Sequence, residues 1–297
     1  MRMNRPFPDK VSSVQSICRP GAGGVGLKSS IIFAFTIVIL SFSVSGLSAA
    51  RPDPQSYGNA AAVDQAAELV AKLADRLASY PELTSWQARA HSTTSFMTSD
   101  WKPKKTTTTE KIVTVDGRLW SEEILSAVET EDGRTRDVTG KAREEALERA
   151  EKQRRSTADE DKGDQRRRGR RSLDMARDEV LPFGPEKRAG YTFLLKDPAD
   201  LDGAPVLVLQ SRSKVRSEER LEGLYYIDPA TYDVLRAELT IAKRPAPLKR
   251  MEMEMEFQVL PSGHQVITRA VMRMHVGLVI KNIRIEAVET YTDHQIK

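Results

Sequence analysis

Four histidines, a glycine-rich segment and an acidic stretch are the residues of this 297-residue chain whose types could do chemistry. His91, His264, His275 and His294 have no metal-ligand spacing, and no cysteine lies near enough in sequence to join them. GAGGVGLKSS contains G-x-G-x-x-G through Gly21, Gly23 and Gly26, but a phosphate cradle needs a strand before those glycines and a helix start after them. In STADEDKGDQ the carboxylates cluster as in a calcium loop. Gly163, however, is out of register with Asp159, and Arg170 stands where the closing glutamate belongs. Neither G-x-S-x-G nor H-E-x-x-H occurs. The sequence therefore predicts a protein that is not an enzyme, with no cofactor and no metal. A hydrolase would need a buried carboxylate or histidine pair, and no spacing suggests one.

The net charge of +4 has a location. Residues 1–50 carry Arg2, Arg5, Lys10, Arg19 and Lys28 against Asp9 alone, so the rest of the chain is balanced. A nucleic-acid partner is not expected. The basic start precedes an uncharged run from Ser29 to Ala50, with its apolar centre at Ile31 to Leu40. Ser48 and Ala50 occupy the small-residue positions of a signal-peptidase site, which makes residues 1–50 a cleavable export signal and the expected location periplasmic. The alternative is an uncleaved anchor. Cys18, the only cysteine, would leave with the signal, and a thiol-free mature chain suits an oxidising compartment.

The elements follow from periodicity. Asn59 to Tyr80 repeats Val63, Ala67, Val70, Leu73, Leu77 and Tyr80 at steps of three and four, an amphipathic helix ended by Pro81. KRMEMEMEFQVL alternates strictly. As a strand it sends Met251, Met253, Met255, Phe257 and Val259 to one side and Glu252, Glu254, Glu256 and Gln258 to the other. Further strands are expected at Trp86–Met97, Thr106–Val115, Arg118–Val128, Tyr191–Lys196, Val206–Val215, Leu221–Ile227, Val234–Lys243, Gln265–Val276 and Leu278–Tyr291. Asp116-Gly117 signals a two-residue hairpin. Most connections are too short for parallel crossovers, so the fold class is α+β and mainly β, a large, curved antiparallel meander.

Residues 140–181 interrupt this pattern. Lys141 to Arg171 holds twelve basic and eight acidic residues and few bulky apolar ones. Thr139 is placed to cap a charged helix running to about Arg155, with a polar linker beyond. Arg166, Arg167, Arg168, Arg170 and Arg171 are either a solvated loop or a tether for anionic headgroups or an acidic partner.

VTVDGRLW (Val113 to Trp120) and GLYYIDPATYDVLRAEL (Gly223 to Leu239) resemble hairpins of the outer-membrane lipoprotein-sorting superfamily, over roughly Asn59 to Ile296. That resemblance implies a half-open β-barrel wrapped around the N-terminal helix, with an apolar concavity for acyl chains. Residues 51–297 would form this domain, with the insert at 140–181. The cavity candidates are Trp86, Phe96, Trp120, Met251, Met253, Met255, Phe257, Met272 and Met274, since unbranched thioethers suit an exchangeable apolar partner. The same alternation also serves a plain core. Two functions are carried forward. One is a carrier whose partners are lipid or lipoprotein acyl chains, and the other is an envelope sensor or scaffold that binds a membrane surface or protein partner through the charged insert.

Overall fold

The computed structural model describes residues 60–116, 119–163, 180–218, 220–278 and 282–296. The export signal and the five insert arginines lie outside them, as does Gly117. Helix α1, Ala60–Ser79, buries Ala66, Leu69, Val70, Leu73 and Leu77 along one stripe, as the three-and-four spacing demands. It packs against β5 (Tyr191–Leu195). Its end is fixed where Asp233 Oδ1 accepts from Arg76 Nε at 2.6 Å and from the Tyr80 hydroxyl at 2.5 Å.

Eleven further strands complete the described sheet. These are β1 (Ser85–Met97), β2 (Pro103–Asp116), β3 (Leu119–Glu131), β4 (Arg134–Asp137), β6 (Ala199–Leu201), β7 (Ala204–Ser213), β8 (Leu221–Ile227), β9 (Val234–Ile241), β10 (Leu248–Val259), β11 (Gln265–Gly277) and β12 (Asn282–Ile296). Their order is β4-β3-β2-β1-β12-β11-β10-β9-β8-β7-β5, with β6 beside β7, and every pairing is antiparallel. The sheet does not close. Two meanders, β1–β4 and β5–β12, are joined by the pairing of β1 with β12. The two edges, β4 and β5, are consecutive in the chain, so the insert connects one lip of the half-barrel to the other.

The strands fall where alternation places them, with shifted ends. The last begins at Asn282 rather than Leu278 and runs to Ile296. Asp116, expected in the turn, is the last residue of β2 and pairs with Leu119. β4, β6 and the single-turn helix α3 (Pro185–Arg188) were not expected, being too short to show a period.

The insert differs most from expectation. Helix α2, Thr139–Gly163, continues eight residues past Arg155, because no breaker intervenes before Gly163. Its first turns are part of the fold. Ala146 is buried against Ile124 and Ala127 of β3, with Ala142 and Val138 beside them. Arg143 donates to the carbonyl oxygens of Ile124 and Leu125. The return of the insert is buried too, with Val180, Leu181 and Phe183 all in the core.

Candidate binding face

The register assembles one continuous inner face from side chains on alternate positions of ten strands. One rung runs Glu129–Thr107–Thr94–Ala287–Met272–Met253–Leu239–Gly223–Ser211–Phe193. The next runs Ala127–Thr109–Ser92–Glu289–Ala270–Met255–Ala237–Tyr225–Leu209–Leu195. A third, shorter rung on the far side of the hydroxyls is Phe96–Ile285–Met274–Met251. Along the two long rungs the face thus changes character, from mostly polar on β3, β2 and β1 to mostly apolar on β12 through β7, with Ala127, Glu289 and Ser211 the exceptions.

All six methionine and phenylalanine candidates of the apolar part, Met251, Met253, Met255, Phe257, Met272 and Met274, are 9% exposed or less. Part of the reason is visible at β8. The Tyr225 hydroxyl donates to the Val180 carbonyl at 2.9 Å, and Phe183 meets Tyr225 edge to face with centroids 4.8 Å apart. The returning insert therefore fills the inner face at Tyr225 with the protein's own side chains. Burial pushes the Tyr225 hydroxyl pKa up, which keeps it a neutral donor.

Trp86 is buried at the other end of β1 and packs with Val113, Val115 and Tyr291, while Trp120 lies half-buried against the same cluster. Trp86 Nε1 donates to His294 Nδ1 at 3.1 Å. An indole nitrogen can only donate, so His294 carries its proton on Nε2. Burial holds the His294 pKa below its ordinary value. His294 Nε2 and Trp120 Nε1 have no partner among the described residues. Phe96 is the one candidate on β1 that stays half-exposed.

The inner face also holds a charged group that alternation in β2 signals: Lys111 shares the parity of Val113 and Val115. Its ammonium is ion-paired with Glu122 and, at 2.7 Å, with Glu289, and Arg149 of α2 reaches Glu122 at 2.8 Å. Burial works against the Lys111 cation, but Glu289 and Glu122 outweigh it and hold its pKa above the ordinary lysine value. Burial likewise opposes the Glu122 anion, and Lys111 and Arg149 overcome it and lower its pKa. Desolvation and the neighbouring Glu289 raise the Tyr291 pKa. Two cations thus balance two carboxylates, and one of the cations comes from α2. The network fixes that helix to the sheet.

The outer face is polar throughout its centre. Arg236 meets Glu254, Arg269 bridges Glu254 and Glu256, and Arg273 pairs with Glu286. This is where the glutamates of KRMEMEMEFQVL point. Among the described residues, no group of three or more His, Cys, Asp or Glu side chains could hold a metal. In the same residues, no helix is long and apolar enough to cross a membrane.

No known family profile matches the chain, and no curated protein matches it. Solved structures similar to it include a LolA superfamily protein from Nitrosomonas europaea, at 14% identity and a TM-score of 0.34, covering 78% of this chain and 93% of that one. A domain assigned to outer-membrane lipoprotein sorting, from Vibrio parahaemolyticus, is similar at 10% identity and a TM-score of 0.34, over 79% of this chain and 93% of that one. A chain of the MucA/MucB complex of Pseudomonas aeruginosa is similar at 12% identity and a TM-score of 0.24, over 78% and 99%. At such identities and scores, the functional reading rests on the residues of this protein.

Proposed function

We propose that the protein is a non-catalytic binding scaffold of the cell envelope, which uses the charged insert to hold a protein partner. The observation that carries this reading is α2. Its first turns are seated on the inner face by Arg143, Ala146 and Arg149, and the helix runs on to Gly163 with Glu151, Lys152, Arg154 and Arg155 exposed. Leu147, on the exposed side of α2, is 68% exposed, an apolar contact point among charges. A half-barrel that anchors the start of α2 gives a partner of the insert a fixed point of attachment. An acidic partner would pair with Arg166, Arg167, Arg168, Arg170 and Arg171. Replacing these five arginines by glutamine should abolish co-purification of an envelope protein that the unaltered chain retains. Retention of the same protein by the variant would refute the reading.

A carrier of acyl chains is the second reading, favoured by the methionine wall. Buried as that wall is, cargo would require whatever covers the methionines to move away. Mass spectrometry of gently purified protein distinguishes the two, since a carrier should retain stoichiometric lipid and a scaffold should not.

A further inference from the structure

The inner face contains a block of four hydroxyls that no other part of the fold uses. Ser92 lies opposite Thr109, and Thr94 opposite Thr107, a two-by-two arrangement on β1 and β2. All four are half-exposed, although they share the parity of buried Ala88, Ala90 and Val113. No side-chain hydrogen bond joins any of them to another described residue. On the outer face of the same strands, by contrast, Ser95 and Thr106 bond each other at 2.9 Å. The charges that border the block are all ion-paired, Glu129 with two cations. Lys111 is paired with Glu122 and Glu289, and Lys105 with Glu129, which Arg136 also meets. On its third side the block meets half-exposed apolar residues, Phe96 of β1, Ile283 of β12, Val276 of β11 and Leu248 of β10. These lie on consecutive strands and span about 14 Å at ordinary strand spacing.

We infer that this part of the inner face binds a neutral, hydroxyl-bearing amphiphile, its head on Ser92, Thr94, Thr107 and Thr109 and its tail along Phe96, Ile283, Val276 and Leu248. Each hydroxyl can donate and accept, so the block matches a head group that does both, as sugar and glycerol hydroxyls do. An ionic head would bring an unpaired charge beside the buried cluster of Lys111, Arg149, Glu122 and Glu289, which is already balanced, and that is the costly arrangement. The tail strip is open where the methionine wall is closed, so the site needs no displacement of the helices. This site goes beyond the scaffold reading and is independent of it, because none of its residues belongs to the insert.

The probes are decyl glucoside, decanoate and decylphosphocholine, each kept below its micellar concentration and titrated into the full chain by calorimetry. Decyl glucoside should bind at least tenfold more tightly than either charged probe. The double variant Thr94→Val, Thr107→Val keeps the β-branched shape and should weaken glucoside binding tenfold or more. The outward pair Thr93→Val, Thr108→Val should leave it unchanged. Chemical-shift mapping on the unaltered protein should place the perturbations at Ser92, Thr94, Phe96, Thr107 and Thr109, and this holds whether or not a variant folds. Absence of glucoside binding, preference for a charged probe, shifts confined to other strands, or full binding by a folded Thr94→Val, Thr107→Val variant would each overturn the inference. Loss of partner capture in the five-arginine variant would not touch it.

Discussion

Lys111 shows how much a single residue decides on this face. Its cation, Glu289 and Glu122 are all deeply buried, so removing one partner strands the others without water. Lys111→Ala should cost roughly 3–5 kcal/mol of stability in chemical denaturation, the range for breaking one side of a buried pair. The double replacement Lys111→Met, Glu289→Met should cost less than Lys111→Ala alone, since no charge is left unpaired. The pH dependence has two limbs. The Glu122 pKa is lowered in the fold, so its contribution is present above the ordinary glutamate range and is lost as pH falls through the folded value. The Lys111 pKa is raised, so its contribution is full below the ordinary lysine value and is lost as pH rises through the folded one. Unfolding midpoints measured across pH should therefore fall at both ends, with Glu122→Gln flattening the acid limb. The parity of Lys111 with Val113 and Val115 is plain in the sequence, and a lysine at a core position is itself a signal. Its partners were not legible, because Glu289 comes from the far end of the chain and only the β1–β12 pairing brings it near.

At the scale of elements, the long periodic segments were the legible ones. Helix α1 and ten of the twelve described strands lie within about five residues of where hydrophobic spacing puts them, since one buried face fixes both type and register. α2 was half legible. Composition marks it as charged and solvated, but its docking depends on small residues, Ala142 and Ala146, which allow close approach without raising hydrophobicity. The DPATYD turn between β8 and β9 acquires a physical role as the seat of α1. Asp228 Oδ1 accepts from the Ala230 and Thr231 amides, which shapes the loop that delivers Asp233 to Arg76 and Tyr80. Burial opposes the Asp233 anion, but Arg76 and Tyr80 lower its pKa, so α1 should loosen as pH drops below the ordinary aspartate range. Loss of amide protection in α1 before the sheet melts would register this. Gly223 has a packing role in the same region. A Cβ there would run into the Glu238 backbone carbonyl, which cannot move aside as a flexible side chain could. Gly223→Ala should cost about 1–3 kcal/mol by denaturation, the ordinary penalty for overpacking.

For the whole molecule, the decisive feature is that the chain leaves one lip of an unclosed sheet and re-enters at the other. The β4 edge is four exposed residues carrying Arg134, Arg136 and Asp137, a short, charged strand unsuited to pairing with another copy. The methionines of the apolar half are 9% exposed or less, so truncation there is expensive. Met272→Ala should destabilise by about 2–5 kcal/mol, against under about 1.5 kcal/mol for Met272→Leu. The sequence could not separate a methionine that lines a cavity from one that fills a core, because alternation is identical for both. At Tyr225 the cover comes from the return of the insert, with Val180 lying 45 residues away in the chain. The scaffold reading requires that α2 belong to the inner face rather than hang from it. Hydrogen exchange of the α2 amides, with and without Arg149→Gln, measures this directly. The account predicts strong protection over residues 142–150 that falls in the variant while α1 keeps its own. Exchange of those amides at free-peptide rates in the unaltered protein would contradict it.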